Sequence, residues 1–411
     1  MRSNFAGWSL VLIGLVACQR ERPKPVPPAE SATAKPQASA PRPAPSAASV
    51  ERDEPLDAGA SRDASASENV ELDDIGPAGP ATATARGVVM ITRDGEVRLV
   101  ALQKKPKTPL EPVPFDAGSF SPFARGPAVA GDFAYWISKG RLIRKPLTGS
   151  REEVLTEDAR DGTRVAAGLM NGQPLVAYIA RPASADADAT ARLWTTRGAT
   201  LRLSPEGAAA SSVALVDTPA GTMALTLEGR SGMSPVHARR VIDPRGKVAL
   251  DPDVVVWIGG SSQSLTEVVG APSPSGEVWG FAAIERDVTG FGLAAIQVGE
   301  RPKMGAPVTW RMYPNGLDPA PVTTAYACGE SWLAYARPAD AKPGSTQELH
   351  LAAIGAGGLG PSRVIARSKA FANASLSAAG EGILLAFTAD HRTWAARIRC
   401  NLAAPSGSKT H

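Results

Sequence analysis

Three cysteines in 411 residues are too few for a disulfide-dense scaffold. Four histidines, at positions 237, 350, 391 and 411, are too scattered to form a metal centre by spacing. Between residues 19 and 85 there is no Phe, Tyr or Trp, whereas seven of the eight Trp lie beyond residue 130, so only the later part of the chain can build a core. No stretch longer than ten residues combines apolar spacing of three and four with freedom from Gly and Pro, so few helices are expected. Also missing are a Gly-x-Ser-x-Gly elbow, a Walker loop and His-Glu-x-x-His, the motifs of α/β hydrolases, P-loop nucleotide binders and zinc proteases. The apolar run Ala6 to Val16 is eleven residues, well short of the about 20 that a membrane-spanning helix needs.

What that run does offer is the arrangement of an export signal: one positive charge at Arg2, the apolar segment, then small residues before a cut site. Leu15-Val16-Ala17-Cys18 resembles the lipobox of bacterial lipoproteins, in which the cysteine becomes the lipidated first residue of the mature chain. The resemblance implies removal of residues 1–17, a lipid such as palmitate on Cys18 and attachment to the cell envelope. Gln19 stands where some bacteria read an aspartate as an instruction to stay in the inner membrane, which points to the outer membrane, on its periplasmic or surface face. The alternatives are an ordinary signal peptide with an incidental cysteine and an uncleaved anchor; the charged Arg20-Glu21-Arg22 weighs against the anchor.

Residues 18–85 read as the lipidated cysteine plus a disordered tether. Eleven Pro and sixteen Ala in residues 19–85 offer too little apolar surface to offset the entropy of ordering. Proline stiffening sets the reach between about 45 Å for a coil and about 200 Å for a polyproline rod, enough for a spacer. This segment is acidic, net −4, and residues 86–411 are basic, net +7. Their charges are scattered, with Lys104-Lys105-Pro106-Lys107 the only cluster, so no nucleic-acid stripe is expected. A solvated basic face, or attraction to an acidic polysaccharide or lipid surface, remains.

From Arg86 the pattern turns to short strands. Asp94-Gly95 and Asn171-Gly172 each separate two apolar runs, the strongest local signal for a hairpin. A small-residue strand, a Gly-containing turn and a hydrophobic strand ending in an aromatic recur, for example at Ala128 to Trp136 and at Ala325 to Tyr335. With Met90, Tyr135, Tyr178, Leu225, Phe281, Tyr335 and Phe387 as equivalents, successive spacings are 45, 43, 47, 56, 54 and 52 residues. Further strands at Ala191–Trp194 and Leu349–Ala352 leave room for four per repeat, a blade-sized unit. The expected fold is an all-β propeller over residues 86–404, of seven blades with six as the alternative, followed by a disordered tail at 405–411. Two β-sandwich domains are the competing architecture.

One repeat carries an outside likeness. Tyr135-Trp136-Ile137-Ser138, followed by Gly140, Leu142, Arg144, Leu147 and Gly149, resembles a blade of the YWTD-type propellers, with Ile-Ser in place of Thr-Asp. It implies fold and no activity. Ring closure suggests one blade completed from both chain ends, with the strand near Ile398-Arg399-Cys400 beside an N-terminal one. Cys328 and Cys400 then fall in neighbouring repeats and are expected to form a disulfide, two buried free thiols being the alternative.

Candidate chemistry is sparse, and no catalytic residue, metal ligand or cofactor is assigned. Asp390-His391 is the one acid–histidine neighbour pair, but adjacent strand residues point to opposite faces. Gly355 to Gly360 matches Gly-x-Gly-x-x-Gly without the helix that pyrophosphate binding requires, and reads as a flexible loop. Asp186-Ala187-Asp188 and Glu157 to Gly162 lack a calcium ligand set, the first reading as a solvated hairpin tip and the second interrupted by Ala159. Trp136, Trp279, Trp332 and Trp394 read as packing between blades rather than as a sugar-stacking stripe. The expectation is a lipid-anchored lipoprotein whose propeller binds a protein or polysaccharide and touches the membrane through Cys18. The alternative is a propeller enzyme, a hydrolase, lyase or quinone-linked dehydrogenase, working at the channel mouth.

Overall fold

The computed structural model describes residues 70–400 apart from 101–125, 314–321 and shorter segments between strands, and for most strand residues between 279 and 313 it describes the backbone alone. These residues belong to a compact unit spanning Ala47–His411. Cys18, the tether as far as residue 69, the Asp94-Gly95 turn, the Lys104–Lys107 cluster, His391, His411 and the 405–411 tail lie outside the described residues.

Every regular element among the described residues is a β-strand, and the strands form seven antiparallel sheets set as a β-propeller. Sheet 1 is short: Ala81–Thr84, Gly87–Ile91 and Val97–Val100. Sheet 2 holds Ala128–Ala130, Phe133–Ser138, Arg141–Pro146 and Glu153–Thr156. Sheet 3 holds Ala166–Met170, Gln173–Ala180, Thr190–Thr195 and Thr200–Arg202. In sheet 4, Ala210–Thr218, Gly221–Glu228 and Pro235–Ile242 are followed by Ala249–Leu250 and Val254–Ile258, which share the outer side of the third strand. Sheet 5 runs Gln263–Pro272, Val278–Arg286, Gly290–Val298 and Val308–Tyr313. Sheet 6 runs Val322–Ala327, Glu330–Pro338, Gln347–Gly355 and Gly358–Ser368. Sheet 7 is Phe371–Ala379, Gly382–Ala389 and Arg392–Arg399, completed by the N-terminal strand Val70–Pro77. Six full blades of four or more strands and one three-stranded sheet thus make the ring. The two-sandwich alternative is set aside.

Closure from both chain ends is as expected, but the fold starts earlier than the 18–85 tether boundary allows. Val70 pairs with Ile398, and the register continues to Pro77 opposite Arg392. Ala81–Thr84 pairs with Gly87–Ile91 as the first strand of sheet 1. The composition of residues 70–84 hid this. The strand Val70–Pro77 takes its ladder from residues more than 300 positions away, and Ala81–Thr84 adds to its local hairpin bonds from Asn373 and Ser375.

The seven repeat positions all fall on the second strand of their sheet. Met90, Tyr135, Tyr178, Leu225, Tyr335 and Phe387 are buried. Apolar clusters fill the spaces between successive sheets: Tyr135, Leu142 and Trp194 between sheets 2 and 3, Leu225 and Trp257 with Val268 between 4 and 5, and Trp332, Leu385 and Phe387 between 6 and 7. Each sheet has two apolar faces because it is covered on both sides, which explains why its second strand reads as a continuous hydrophobic run. Trp332 is buried there with its indole N–H donating to the Ala327 carbonyl at 3.0 Å. Trp394, on a third strand, packs against the same cluster, whereas Trp136 adjoins Tyr135 on the opposite strand face, so these tryptophans are core residues without a common repeat position.

The hairpin at Asn171-Gly172 has positive φ at both residues, 52° and 73°, the geometry its two-residue turn requires. In the YWTD-like repeat, Lys139 and Gly140 make the equivalent turn, Leu142 is fully buried, and Arg144 lies 4.8 Å over the Phe133 ring while bonding Glu153.

The cysteine pairing is present: Cys328 and Cys400 are disulfide-bonded with Cα atoms 5.7 Å apart. Cys328 sits in the turn between the first two strands of sheet 6, and Cys400 directly follows the third strand of sheet 7. The bond therefore fastens the last blade, the one completed by the N-terminal strand, to the blade before it.

Candidate functional site: the central channel

The first strands of the sheets surround a cavity of about 160 Å³. Its wall includes residues from all seven sheets or the segments leading into them, among them Thr82, Ala128, Ala167, Ala214, Val269 and Ser375. The registers explain this composition. Tyr135 lies opposite Ala128, Leu225 opposite Ala214, Phe281 opposite Val269, Tyr335 opposite Val322 and Phe387 opposite Ala374, and each of those partners lines the cavity. The sequence repeat thus marks the layer behind the channel wall. The wall is mostly small residues, because seven strands converging on one axis leave little room. At Gly126 the crowding is extreme: a Cβ there would lie 2.3 Å from the Ala81 carbonyl oxygen.

Many polar groups near the wall stitch neighbouring sheets. The Ser212 hydroxyl accepts from Val268 N, Thr324 donates to the Gly270 carbonyl at 2.6 Å, and the Thr323 hydroxyl accepts from Leu376 N. Asn373 Nδ2 donates to the Ala81 carbonyl at 2.7 Å, and Ser375 Oγ accepts from Ala83 N at 3.2 Å. Such bonds replace water that buried backbone groups would otherwise lose.

Among the described residues lining the cavity, two are charged, and they are paired. Arg164 precedes the first strand of sheet 3, Glu267 lies on the first strand of sheet 5, and Nη1 donates to Oε1 at 2.9 Å. The glutamate side chain is 8% exposed and the arginine 28%. A register shift between Leu265 and Glu267 marks the bulge that carries the carboxylate. The pair is separated by 103 residues, and no sequence spacing announces it.

The two described histidines lie away from this wall, each on a third strand. His237 Nδ1 is 2.7 Å from Asp253 Oδ2, and Nε2 is 3.5 Å from Glu228 Oε2. Burial pulls its pKa down, but the hydrogen bond and charge of Asp253, with those of Glu228, outweigh burial and leave it raised above 6.5. His350 is stacked on Tyr335, with Nδ1 3.0 Å from Ser362 Oγ and Nε2 3.1 Å from Glu348 Oε2. Arg337 Nε also donates to that Nε2 at 2.8 Å. Burial, then the Arg337 charge, pushes the His350 pKa down to about 4. This serine–histidine–glutamate constellation escapes a motif search because it spans two strands; only the Glu348-x-His350 alternation, which puts both on one strand face, hints at it.

The remaining motifs resolve structurally. Asp390 is in the turn between two strands of sheet 7, φ 50°, accepting from Ser368 at 2.8 Å, so Asp390-His391 is not a strand pair. Gly355 ends the third strand of sheet 6 and pairs with Gly358, and Gly358 and Gly360 lie on the fourth, residues 356 and 357 being outside the described residues. Asp188 lies in the connection between the second and third strands of sheet 3. Asp158 bonds the Tyr178 hydroxyl at 3.0 Å and Arg192 at 2.5 Å, and burial followed by this carboxylate's charge pushes Tyr178 up to about 12. Ala159 forms a bridge with Ala180.

No family model matches the sequence, and no curated protein matches it. Among solved structures, a Dyadobacter fermentans protein of unknown function is similar at 13% identity and TM-score 0.48, over 81% of this chain and 100% of that one. A puromycin-hydrolysing peptidase of Mycobacterium tuberculosis is similar at 16% identity and TM-score 0.36, over 55% of this chain and 36% of its own. An endo-arabinase from Bacteroides thetaiotaomicron is similar at 10% identity and TM-score 0.34, over 54% of this chain and 89% of that one. At these scores no activity is carried over from any of them.

Proposed function

We propose that the chain is a lipid-anchored cell-envelope lipoprotein that presents its propeller as a binding or scaffold module for a protein or polysaccharide partner. The observation that carries the binding half is the channel wall: its charged side chains are paired across it, Thr324 and Asn373 are held by bonds that join blades, and Thr82 and Ser375 bring hydroxyls to it. A wall so built holds its shape and offers a polar surface without a group poised to exchange protons. The anchored half rests on Leu15-Val16-Ala17-Cys18. A propeller enzyme is the second reading, favoured by the Ser362, His350 and Glu348 contacts on sheet 6.

Two measurements test the proposal. Metabolic labelling with palmitate should mark the wild-type protein and not Cys18→Ser, which should leave the membrane fraction; a labelled, membrane-bound variant rejects the anchor. Crosslinking in the native envelope followed by affinity capture should recover a reproducible partner, and recovery of the protein alone rejects the scaffold role.

A further inference from the structure

We propose that the central channel is itself a ligand site, for a small hydroxylated monocarboxylate bound through Arg164. The proposal deepens the binding reading and rests on it. The cavity, about 160 Å³, has room for roughly ten water-sized occupants at 10–15 Å³ each, which suits a solute of a monosaccharide's size.

Arg164 supplies the recognition. Glu267 takes an N–H at Nη1 of a guanidinium that has five. The buried carboxylate fixes the plane of the group and leaves another edge of the fork for a second carboxylate. A preorganised fork binds a planar carboxylate bidentately and loses little side-chain entropy in doing so. Because Glu267 already balances the arginine, the wall carries no net charge from this pair. A singly charged ligand is therefore favoured over a dianion such as phosphate.

Hydroxyl recognition comes from the opposite side of the ring. Ser375 Oγ accepts from Ala83 N and keeps its own O–H to donate, while Asn373 donates through Nδ2 to Ala81 and keeps its Oδ1 as an acceptor. Thr82 adds a hydroxyl to the same wall. No aromatic ring is among the described lining residues, so these polar groups, rather than stacking, would hold the ligand. The stitches that fix Asn373 and Ser375 in place are the same bonds that join sheet 7 to sheet 1, so the site is formed before the ligand arrives.

The test is calorimetric titration of the full chain with D-glucuronate, D-glucose and inorganic phosphate as probes. Glucuronate should bind saturably, and glucose and phosphate at least about tenfold more weakly, the loss expected for one charge-assisted contact. Arg164→Lys keeps a cation beside Glu267 but removes the fork, and should weaken glucuronate by about tenfold with the melting midpoint unchanged. Arg164→Gln should abolish binding, and Ser375→Ala should weaken it severalfold. Absence of glucuronate binding to the wild type, equal binding of phosphate, or undiminished binding by Arg164→Lys overturns the proposal. If glucuronate fails while envelope crosslinking still captures a partner, the channel site falls and the scaffold reading stands; if both fail, both fall.

Discussion

Val70 lies opposite Ile398 in an antiparallel ladder, so the first described strand and the last are hydrogen-bonded neighbours. Asp74 and Asp73 reinforce that seam through Arg392 at 2.6 Å and Arg397 at 2.9 Å. A chain shortened to begin at Gly79 exposes the edge of Arg392–Arg399, and should lose about 2 kcal/mol, lowering the melting midpoint by roughly 4–8 °C. A chain beginning at Arg86 also loses the first strand of sheet 1, with its Asn373 and Ser375 bonds, and should not give a protease-resistant domain. Limited proteolysis and thermal scans of the two truncations check this, and equal stability of all three chains would contradict it.

The disulfide fastens the same closure from the other side. Cys328 and Cys400 enclose an interval of 72 residues, for which chain entropy gives about 4 kcal/mol. Because the Val70–Pro77 ladder already holds sheet 7, Cys328→Ser should cost somewhat less, about 2–4 kcal/mol, and the ring should stay closed. Denaturant titration of the variant against the oxidised wild type measures the cost. Mass spectrometry of the unreduced protein should show no free thiol at either position.

These two features separate what the sequence announces from what it conceals. Tyr135, Tyr335 and Phe387 recur because every blade needs a large apolar plug on its second strand, and that need is periodic. Ala128, Ala214 and Ala374, directly opposite Tyr135, Leu225 and Phe387, line the channel, but alanine carries no positional signal. Arg164 and Glu267 meet only because the ring brings sheets 3 and 5 to one axis, a consequence of closure rather than of local pattern. The strand Val70–Pro77 looks like linker because its ladder partner lies at the far end of the chain, and Ala81–Thr84 because its small residues are packed and bonded by Asn373 and Ser375 from that same end.

The buried histidines place opposite slopes on the pH dependence of stability. His237 has a folded pKa above 6.5, so its contribution is fully present below about 6.5 and is lost as pH rises through the folded value. His350 has a folded pKa near 4, so the neutral ring's contribution is present above 6.5 and is lost as pH falls toward 4. Stability should therefore peak near pH 6.5 with respect to these two groups. His237→Gln should flatten the alkaline limb and leave the acid limb, and His350→Gln should do the reverse. Denaturation midpoints from pH 4 to 9 decide it; identical profiles for the two variants would contradict the assignment.

Lys139 occupies a left-handed conformation, φ 53°, in the hairpin of sheet 2, where a side chain with no local hydrogen bond pays a steric penalty of about 1 kcal/mol. Asn171 holds the corresponding place in the sheet 3 hairpin at φ 52°. Lys139→Asn should therefore stabilise the domain by roughly 0.5–1 kcal/mol, read as a shift in denaturant midpoint with unchanged slope.

Ser362, His350 and Glu348 have the contacts of a catalytic triad, yet the proton inventory argues against a nucleophile. Arg337 Nε donates to His350 Nε2, so that nitrogen is an acceptor and the ring carries its hydrogen on Nδ1. The Nδ1–H then points at Ser362 Oγ, 3.0 Å away, and donates to the hydroxyl that a general base would have to deprotonate. The Arg337 charge opposes an imidazolium as well, consistent with a pKa near 4. A fluorophosphonate probe should leave Ser362 unlabelled at pH 7. In Arg337→Met the acceptor role is lifted and Glu348 becomes free to hold an Nε2–H, so the His350 titration, followed by NMR, should move from about 4 toward 6.5. Labelling of the wild-type serine would show that the tautomer is the reverse, and would move the enzymatic reading ahead of the binding one.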